Sequence, residues 1–534
     1  MVFSKSSRLT QDGLSLLRQG KLDAGIECLR QSLQLDPRQL EAALNAAVAS
    51  HLLGDTLAGL TYLEAVSEFF PNHPDILNNQ AVLLIDIHQL DAALVCLNQS
   101  VLLQPDSVSA HFNRANVLRA LGDYAGSIIE YEQAIQLNPN DPEIYNNCGI
   151  SLQALMACEL ALACFEQALA LAPDYVDAWT NRGVALQDLM RLDEAMQSFE
   201  QALTLNSRDP KATWNKALLL ILSGDYGLGW ALHEVRWQRP DYPRMPDYPV
   251  PVWLGGEDIR GKRLLIYPEQ GFGDFIQFCR YALVLAQQGV LVLLQVPQPL
   301  KRLLQGLIQL PGIEPGRVDL VDSNSRLEFD RHCPMMSLPY ALKTQVNDIP
   351  ARIPYLATPE TVKQFWQQRL NPRTAFRVGL VWSGSPTHKN DHNRSIPLAQ
   401  LGEWFSLPVA FYSLQKEIRV SDQAVADDLE KAGKLRIQTN DLEDFADTAG
   451  LIEQMDLVIS VDTSVAHLAG ALGKPVWVML PYMPDHRWML VRTDSPWYPT
   501  MTLFRQPEMG DWAGVIKEVS FRLMELASRI FPNS

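Results

Sequence analysis

Two patterns of apolar positions divide the chain. Over roughly the first two hundred residues apolar positions keep helical spacing, and the pattern recurs every 34 residues. Proline stands at Pro37, Pro71, Pro105, Pro139 and Pro173, and Ser207 takes the sixth place. Ala47, Ala81, Ala115, Gly149, Gly183 and Ala217 form a small-residue column; Leu29, Leu63, Leu97, Tyr131, Phe165 and Phe199 form a large one. Small residues let two helices approach, large ones fill the space beside them, and proline ends the second helix. The pattern predicts six helix pairs over about 6–209 and a degenerate seventh over 211–237. No such pair buries its apolar face alone, so the pairs stack into a superhelix with a groove.

From residue 263 short β-branched runs alternate with helical stretches. Leu457 to Val461 is a near-continuous apolar run, as in a strand buried on both faces. Asp462, Thr463 and Ser464 suit a helix start, residues 465–472 keep helical spacing, and Gly473 and Pro475 end the helix before a strand at 476–480. This βαβ unit implies a parallel sheet. A second opens with a strand at 263–267, a Gly-rich turn from Glu269 to Asp274, a helix to about Gln287 and a strand at 291–296; a third opens at 376–382. Polar residues at strand carboxyl ends lie where open α/β sheets bind ligands, and a helix N-terminus there favours a phosphate. Capping alone also accounts for Asp462 to Ser464. Ile276 stands where a dinucleotide fingerprint needs glycine, which argues against a nicotinamide dehydrogenase.

Charge sharpens the division. The net charge is −16, and residues 1–250 hold 16 Lys and Arg against 30 Asp and Glu. Such a surface disfavours nucleic acid as the partner of the first half and is compatible with a neutral or basic polypeptide; solubility of a helical array explains the charge equally well. The seven cysteines include no C-x-x-C pair, there is no signal-peptide pattern at the N-terminus, and no apolar run has the roughly 20 residues of a membrane span. A cytoplasmic, reduced chain is the expectation.

One column is not explained by packing. Asn45, Asn79, Asn113, Asn147, Asn181 and Asn215 recur once per repeat, although asparagine is a mediocre helix former. Stacking sets them in a row that can bond an extended peptide backbone; bonds to the neighbouring repeat's backbone or local caps are the alternative. The 34-residue period is that of the tetratricopeptide repeat. The column resembles the asparagine ladder of protein O-GlcNAc transferases, which implies a polypeptide client.

The stretches GFGDFIQFCRY (271–281), GLVWSGSPTHKNDHNRSIPL (379–398), SLQKE (413–417) and DLVISVDTSVAHLAGALGKPVWVMLPYMPDHRW (456–488) resemble the glycosyltransferase family of the lipopolysaccharide heptosyltransferases, more closely its repeat-linked bacterial members. SLQKE and the helix-terminus features are also similar to the O-GlcNAc transferase and SPINDLY catalytic domains. The resemblance implies an α-solenoid followed by an α/β GT-B fold of two Rossmann-like halves. The expected domains are a solenoid over 1–237, a linker over 238–262 rich in Pro, Tyr and Gly, an acceptor half over 263–372 and a donor half over 373–534 with a C-terminal helix, the aromatic tail at 494–512 returning to pack on the first half. It further implies Asp274 as general base, unless it merely caps its helix. Gly271, Gly273, Ser383, Arg394, Gln415, Lys416, Asp462, Thr463, Ser464 and His467 are implied to hold the donor and its phosphates, with His467 facing the core as the alternative. The D-x-D of metal-dependent transferases is missing, so no cofactor and no metal are expected, and a UDP- or GDP-sugar is the expected substrate. The function implied is transfer of a sugar to a polypeptide held by the repeats. The alternatives are a repeat scaffold with an inactive transferase-like domain, and a glycan acceptor with the repeats serving only to dock.

Overall fold

The computed structural model describes residues 4–307, 314–323, 325, 327–373, 375–388 and 390–530. By packing, the chain parts into two compact units between Ser207 and Arg208. The first is the expected helical solenoid, twelve helices from Lys5–Arg18 to Leu192–Leu205 among the described residues. Three hairpins end just ahead of their prolines: Leu103, Leu137 and Leu171 are the last helical residues before Pro105, Pro139 and Pro173. The small column permits close approach. A Cβ on Gly149 would lie 2.6 Å from the Phe165 ring, and one on Gly183 would lie 2.4 Å from the Phe199 ring. All six residues of the large column are wholly buried.

The seventh hairpin, Pro210–Ser223 and Tyr226–His233, packs with the second unit, although the sequence pattern put the domain boundary at 237. Aromatic side chains account for the difference. Trp230 meets Phe278 edge to face at 5.9 Å, and Tyr226 stacks on Trp497 at 6.2 Å. The expected linker is ordered too: Trp253 is buried in the core, and Val252 pairs in parallel with His332.

The second unit holds two parallel sheets. The first contains β1 (Arg263–Tyr267), β2 (Leu291–Gln295), β3 (Val318–Val321) and β4 (Arg331–Pro334), in the order β3-β2-β1-β4. The second contains β5 (Arg377–Val381), β6 (Ala410–Ser413), β7 (Leu435–Arg436), β8 (Leu457–Val461), β9 (Val476–Leu480) and β10 (Met501–Arg505), in the order β10-β9-β8-β5-β6-β7. In each sheet the chain winds outward from one central strand and then resumes on its other side. The switch points lie between β1 and β4 and between β5 and β8, the places where open α/β sheets bind ligands outside the strand carboxyl ends.

One apolar cluster runs through both halves, joining Ile276 and Phe278 to Ala466, Leu468, Trp488 and Trp497. Arg280, only 2% exposed, sits in this seam. Its guanidinium donates to the Trp497 carbonyl at 2.7 Å and the Tyr355 hydroxyl at 2.9 Å and lies over the Tyr355 and Tyr498 rings. The aromatic tail packs on the first half as expected, and the terminal helix Trp512–Ile530 follows it. Its apolar face (Val515, Ile516, Val519) covers the second sheet with Leu398 and Trp404, and the segment before it, at Trp497, is what returns to the first half.

The close approach in the sixth hairpin is testable. Gly183→Ala is expected to lower stability by about 1–3 kcal/mol through overpacking against Phe199. Adding Phe199→Leu should cost less than the two single effects combined, because the two sites share one contact. Urea unfolding of the four chains gives the coupling; strict additivity would contradict the contact.

Candidate functional site

The site is built at the two switch points. After β1 the chain turns through Gly271, at φ 60°, into the helix Phe272–Phe278. Only glycine takes that backbone conformation without strain. No side chain caps this helix, and Asp274 lies in its first turn, so capping is not what holds that carboxylate. After β8, Thr463 starts the helix Ser464–Ala471 in extended conformation, again without a side-chain cap; its hydroxyl instead lies 3.1 Å from that of Ser460. The Ala466 N–H donates to the Thr463 carbonyl at 3.1 Å, which leaves the N–H groups of Ser464 and Val465 as the ones this helix start can offer an anion.

These two helix starts meet. A Cβ on Gly273 would lie 3.1 Å from His467 Cδ2 and 3.6 Å from Ser464 Cα. Gly273 thus admits the neighbouring helix. His467 is the core-facing alternative: it is 4% exposed, lies 3.0 Å from the Tyr498 hydroxyl and stacks on Trp488 at 5.2 Å. Burial, with Arg487 adding to it, pushes its imidazole down to about 3, so it is neutral at ordinary pH and brings no charge to a phosphate.

Asp274 reaches across the seam and accepts from Arg487 of the second half. Arg487 also donates to Asp485 at 2.6 Å. Burial raises the Asp274 carboxyl above its usual range, against the opposing pull of Arg487. Burial likewise raises Asp462, with Asp485 adding repulsion, to about 6. Asp485 is also penalised by burial, yet Arg487 and His486 hold it well below the ordinary value. Two carboxylates thus pair with one central guanidinium, the third, Asp462, lies within its field, and the arrangement separates their protonation.

The other cations cluster behind Asp462. Arg394 donates to the Asp462 carbonyl at 3.0 Å, and its guanidinium fills the space beside Gly384 so tightly that a Cβ there would come within 2.7 Å. Arg419 donates to the Gly384 carbonyl at 2.9 Å and to the Asp391 carboxylate. The Nε–H groups of Arg394, Arg419 and Arg487 are buried and have no hydrogen-bond partner among the described residues. Ser383 and Gln415 bond each other: the Gln415 amide donates to Ser383 Oγ at 2.9 Å, and the Ser383 N–H donates to Gln415 Oε1 at 3.2 Å. Lys416 is exposed and donates to the Glu443 carbonyl at 2.7 Å. It lines a shallow pocket with Gln423 and Asp427, away from the carboxylate cluster's contacts.

The sequence reading left out Arg487, Asp485 and Arg419. The signal for the first two was the rule already used at β8: they follow β9, on the carboxyl side of a parallel strand.

In the solenoid, the asparagine column is half-buried throughout its run from Asn45 to Asn181; Asn79 shares this burial, and Asn215 lies on the hairpin of the second unit. Asn113 donates to Asn78 Oδ1 and Asn181 to Asn146 Oδ1, both at 2.9 Å, and Asn147 donates to Asn116 Oδ1 at 3.4 Å. Asn45 donates to the Glu41 carbonyl within its own helix. The rungs therefore join neighbouring repeats through side-chain amides. Among the described residues the Oδ1 atoms of Asn113 and Asn181 accept nothing, so these two rungs retain acceptors.

Family comparisons agree with this division. Tetratricopeptide-repeat models match residues 11–74, 115–155 and 176–209. A model of glycosyltransferase family 9 (heptosyltransferase) matches residues 441–494, which contain β8, the helix Ser464–Ala471, β9 and Asp485 to Arg487. Protein FlbA of Caulobacter vibrioides is 25% identical over 341 residues, 59% of this chain and 55% of FlbA. The chain thus spans about half the length of that curated relative. MamA from Desulfovibrio magneticus RS-1 is 18% identical with a TM-score of 0.31, covering 33% of this chain and 97% of its own. A thermophilic TPR protein of Thermus thermophilus is 21% identical with a TM-score of 0.30, covering 34% and 98%. Over those matched residues the chain is similar to tetratricopeptide repeats and, after them, to glycosyltransferase family 9 (heptosyltransferase). No helix among the described residues is long and apolar enough to cross a membrane.

Asp462 gives a pH test. Its folded-state carboxyl lies above the unfolded value, so it favours folding below about pH 4 and loses that contribution as pH rises through about 6. Asp462→Asn should therefore be more stable than the wild type at pH 7 by about 1–3 kcal/mol, with the gap closing towards pH 4. Urea melts at pH 4.5 and 7 read the difference; a variant less stable at pH 7 would place the carboxylate in a favourable ion pair instead.

Proposed function

We propose that the second unit transfers a glycosyl group from a nucleotide-sugar to a hydroxyl of a polypeptide client held by the repeats. The observation that carries this reading is the meeting of a carboxylate from one half, Asp274, with the uncapped helix start and buried guanidinium donors of the other. The donor's diphosphate fits the N–H groups after Thr463 and the free Nε–H donors of Arg394 and Arg487. Asp274 takes the proton of the acceptor hydroxyl as its oxygen bonds the anomeric carbon. The bond from that carbon to the phosphate oxygen breaks, and the nucleoside diphosphate leaves with the electron pair, neutralised by the arginines in place of a metal. Because Arg487 also holds Asp274, an entering phosphate competes for the guanidinium and releases the base.

The pairing of Asp274 with Arg487 equally fits an inactive domain on a repeat scaffold, and one experiment separates the two. UDP, GDP and their common sugar conjugates are screened for thermal stabilisation of the full chain. A ligand at about 100 times its dissociation constant should add about 2.7 kcal/mol. Arg394→Ala should lose the stabilisation, whereas Asp274→Asn should keep it and lose transfer. If none of these ligands stabilises the wild-type chain, the scaffold reading replaces the enzyme.

A further inference from the structure

A pocket of about 540 Å³ opens in the solenoid, far along the chain from the transferase residues. Trp179 and Arg182 of the helix Val176–Asp188 line it, together with Glu166 of the preceding helix and Gln197, Ser198 and Gln201 of the following one. The chain supplies its own template for this place two repeats, or 68 residues, earlier: His111, Arg114 and Glu130 occupy the positions of Trp179, Arg182 and Ser198.

The two places are framed alike. Trp179 donates its indole N–H to the Pro173 carbonyl at 2.9 Å, and His111 Nε2 meets the Pro105 carbonyl, again 68 residues earlier, at 3.0 Å. The guanidinia lie at the same depth, with side-chain exposures of 19% for Arg114 and 18% for Arg182. The difference is a carboxylate. In the earlier repeat Glu130, 11% exposed, receives Arg114 at 2.5 Å and His111 at 2.7 Å and fills the place. In the later one Ser198 stands there, wholly buried, its hydroxyl donating to the Glu194 carbonyl at 2.9 Å and accepting from Arg182 at 2.7 Å. Indole has no second nitrogen to replace the His111 contact. Among the described residues the carboxylate that pairs with Arg182 is that of Glu166, 3.0 Å away and 51% exposed at the rim.

We propose that this pocket binds a carboxylate of a polypeptide partner, seated where Glu130 sits two repeats earlier. The partner's carboxylate bonds the inner edge of Arg182, its neighbouring side chain packs on Trp179, and the amides of Gln197 and Gln201 bond its backbone. A polypeptide is favoured because the pocket is an open cleft over three successive helices of a repeat class that typically mediates protein contacts. The solenoid holds 10 Lys and Arg against 25 Asp and Glu up to residue 207, so a carboxylate meets general repulsion and its binding falls to the Arg182 guanidinium. The proposal does not depend on the transfer reaction.

The test uses the full chain and labelled alanine-rich peptides. One carries a single Glu, one a single Gln, both blocked at each end, and one carries neither residue but a free C-terminal carboxylate. Fluorescence anisotropy should show the Glu peptide or the free-carboxylate peptide binding at least about tenfold tighter than the Gln peptide, as expected for hydrogen bonds to a charged group; which of the two binds tells a side chain from a chain end. Ser198→Glu, which installs the residue the chain already tolerates at 130, should abolish that preference while its melting temperature is kept or raised. Arg182→Gln should weaken binding at least about tenfold, and Glu166→Gln should tighten it. Equal binding of all three peptides, or a preference that survives Ser198→Glu in a folded chain, overturns the proposal.

Discussion

The account of the second unit rests on one steric fact: the helix that carries Asp274 and the helix that follows β8 approach until Gly273 touches His467. A side chain at 273 would force the buried His467 ring to give by a few tenths of an ångström. Around that contact the seam is closed by apolar side chains and by Arg280, whose buried charge is met by carbonyls, a hydroxyl and ring faces. Burying such a cation without partners would cost several kcal/mol, so its satisfaction fixes both the seam and the segment around Trp497.

The seam explains the electrostatics of the site. Asp274, Asp462 and Asp485 come from three different loops, and removing them from water sets them in competition for Arg487. The outcome is graded: Asp485 is held ionised, whereas Asp274 and Asp462 are pushed up. Carboxyl groups with separated protonation, next to guanidinium donors without partners, are the arrangement expected where a proton moves and an anion leaves.

Much of this was legible in the sequence because burial writes it there. The strands at 457–461 and 476–480 are buried on nearly every residue, so their apolar runs marked them to the residue. The repeat columns were equally plain, since each rests on one steric need. What was not legible came from tertiary placement. His467 sits in a polar motif, yet the turn of its helix aims it at Trp488 and Tyr498. Lys416 follows a strand like its neighbours but points to Glu443. Arg487 lies in the aperiodic stretch after β9, where no spacing announces a role, and its importance appears only when the first half brings Asp274 to it. The seventh hairpin kept enough of the repeat pattern to be counted with the solenoid, while its aromatic residues packed elsewhere.

The central claim is that one site is assembled from both halves. Hydrogen–deuterium exchange with and without UDP or GDP tests it most directly. The account predicts that one nucleotide protects 271–279 of the first half and 462–468 of the second together, over the same concentration range. Protection of neither segment, or of one alone, would contradict a shared site.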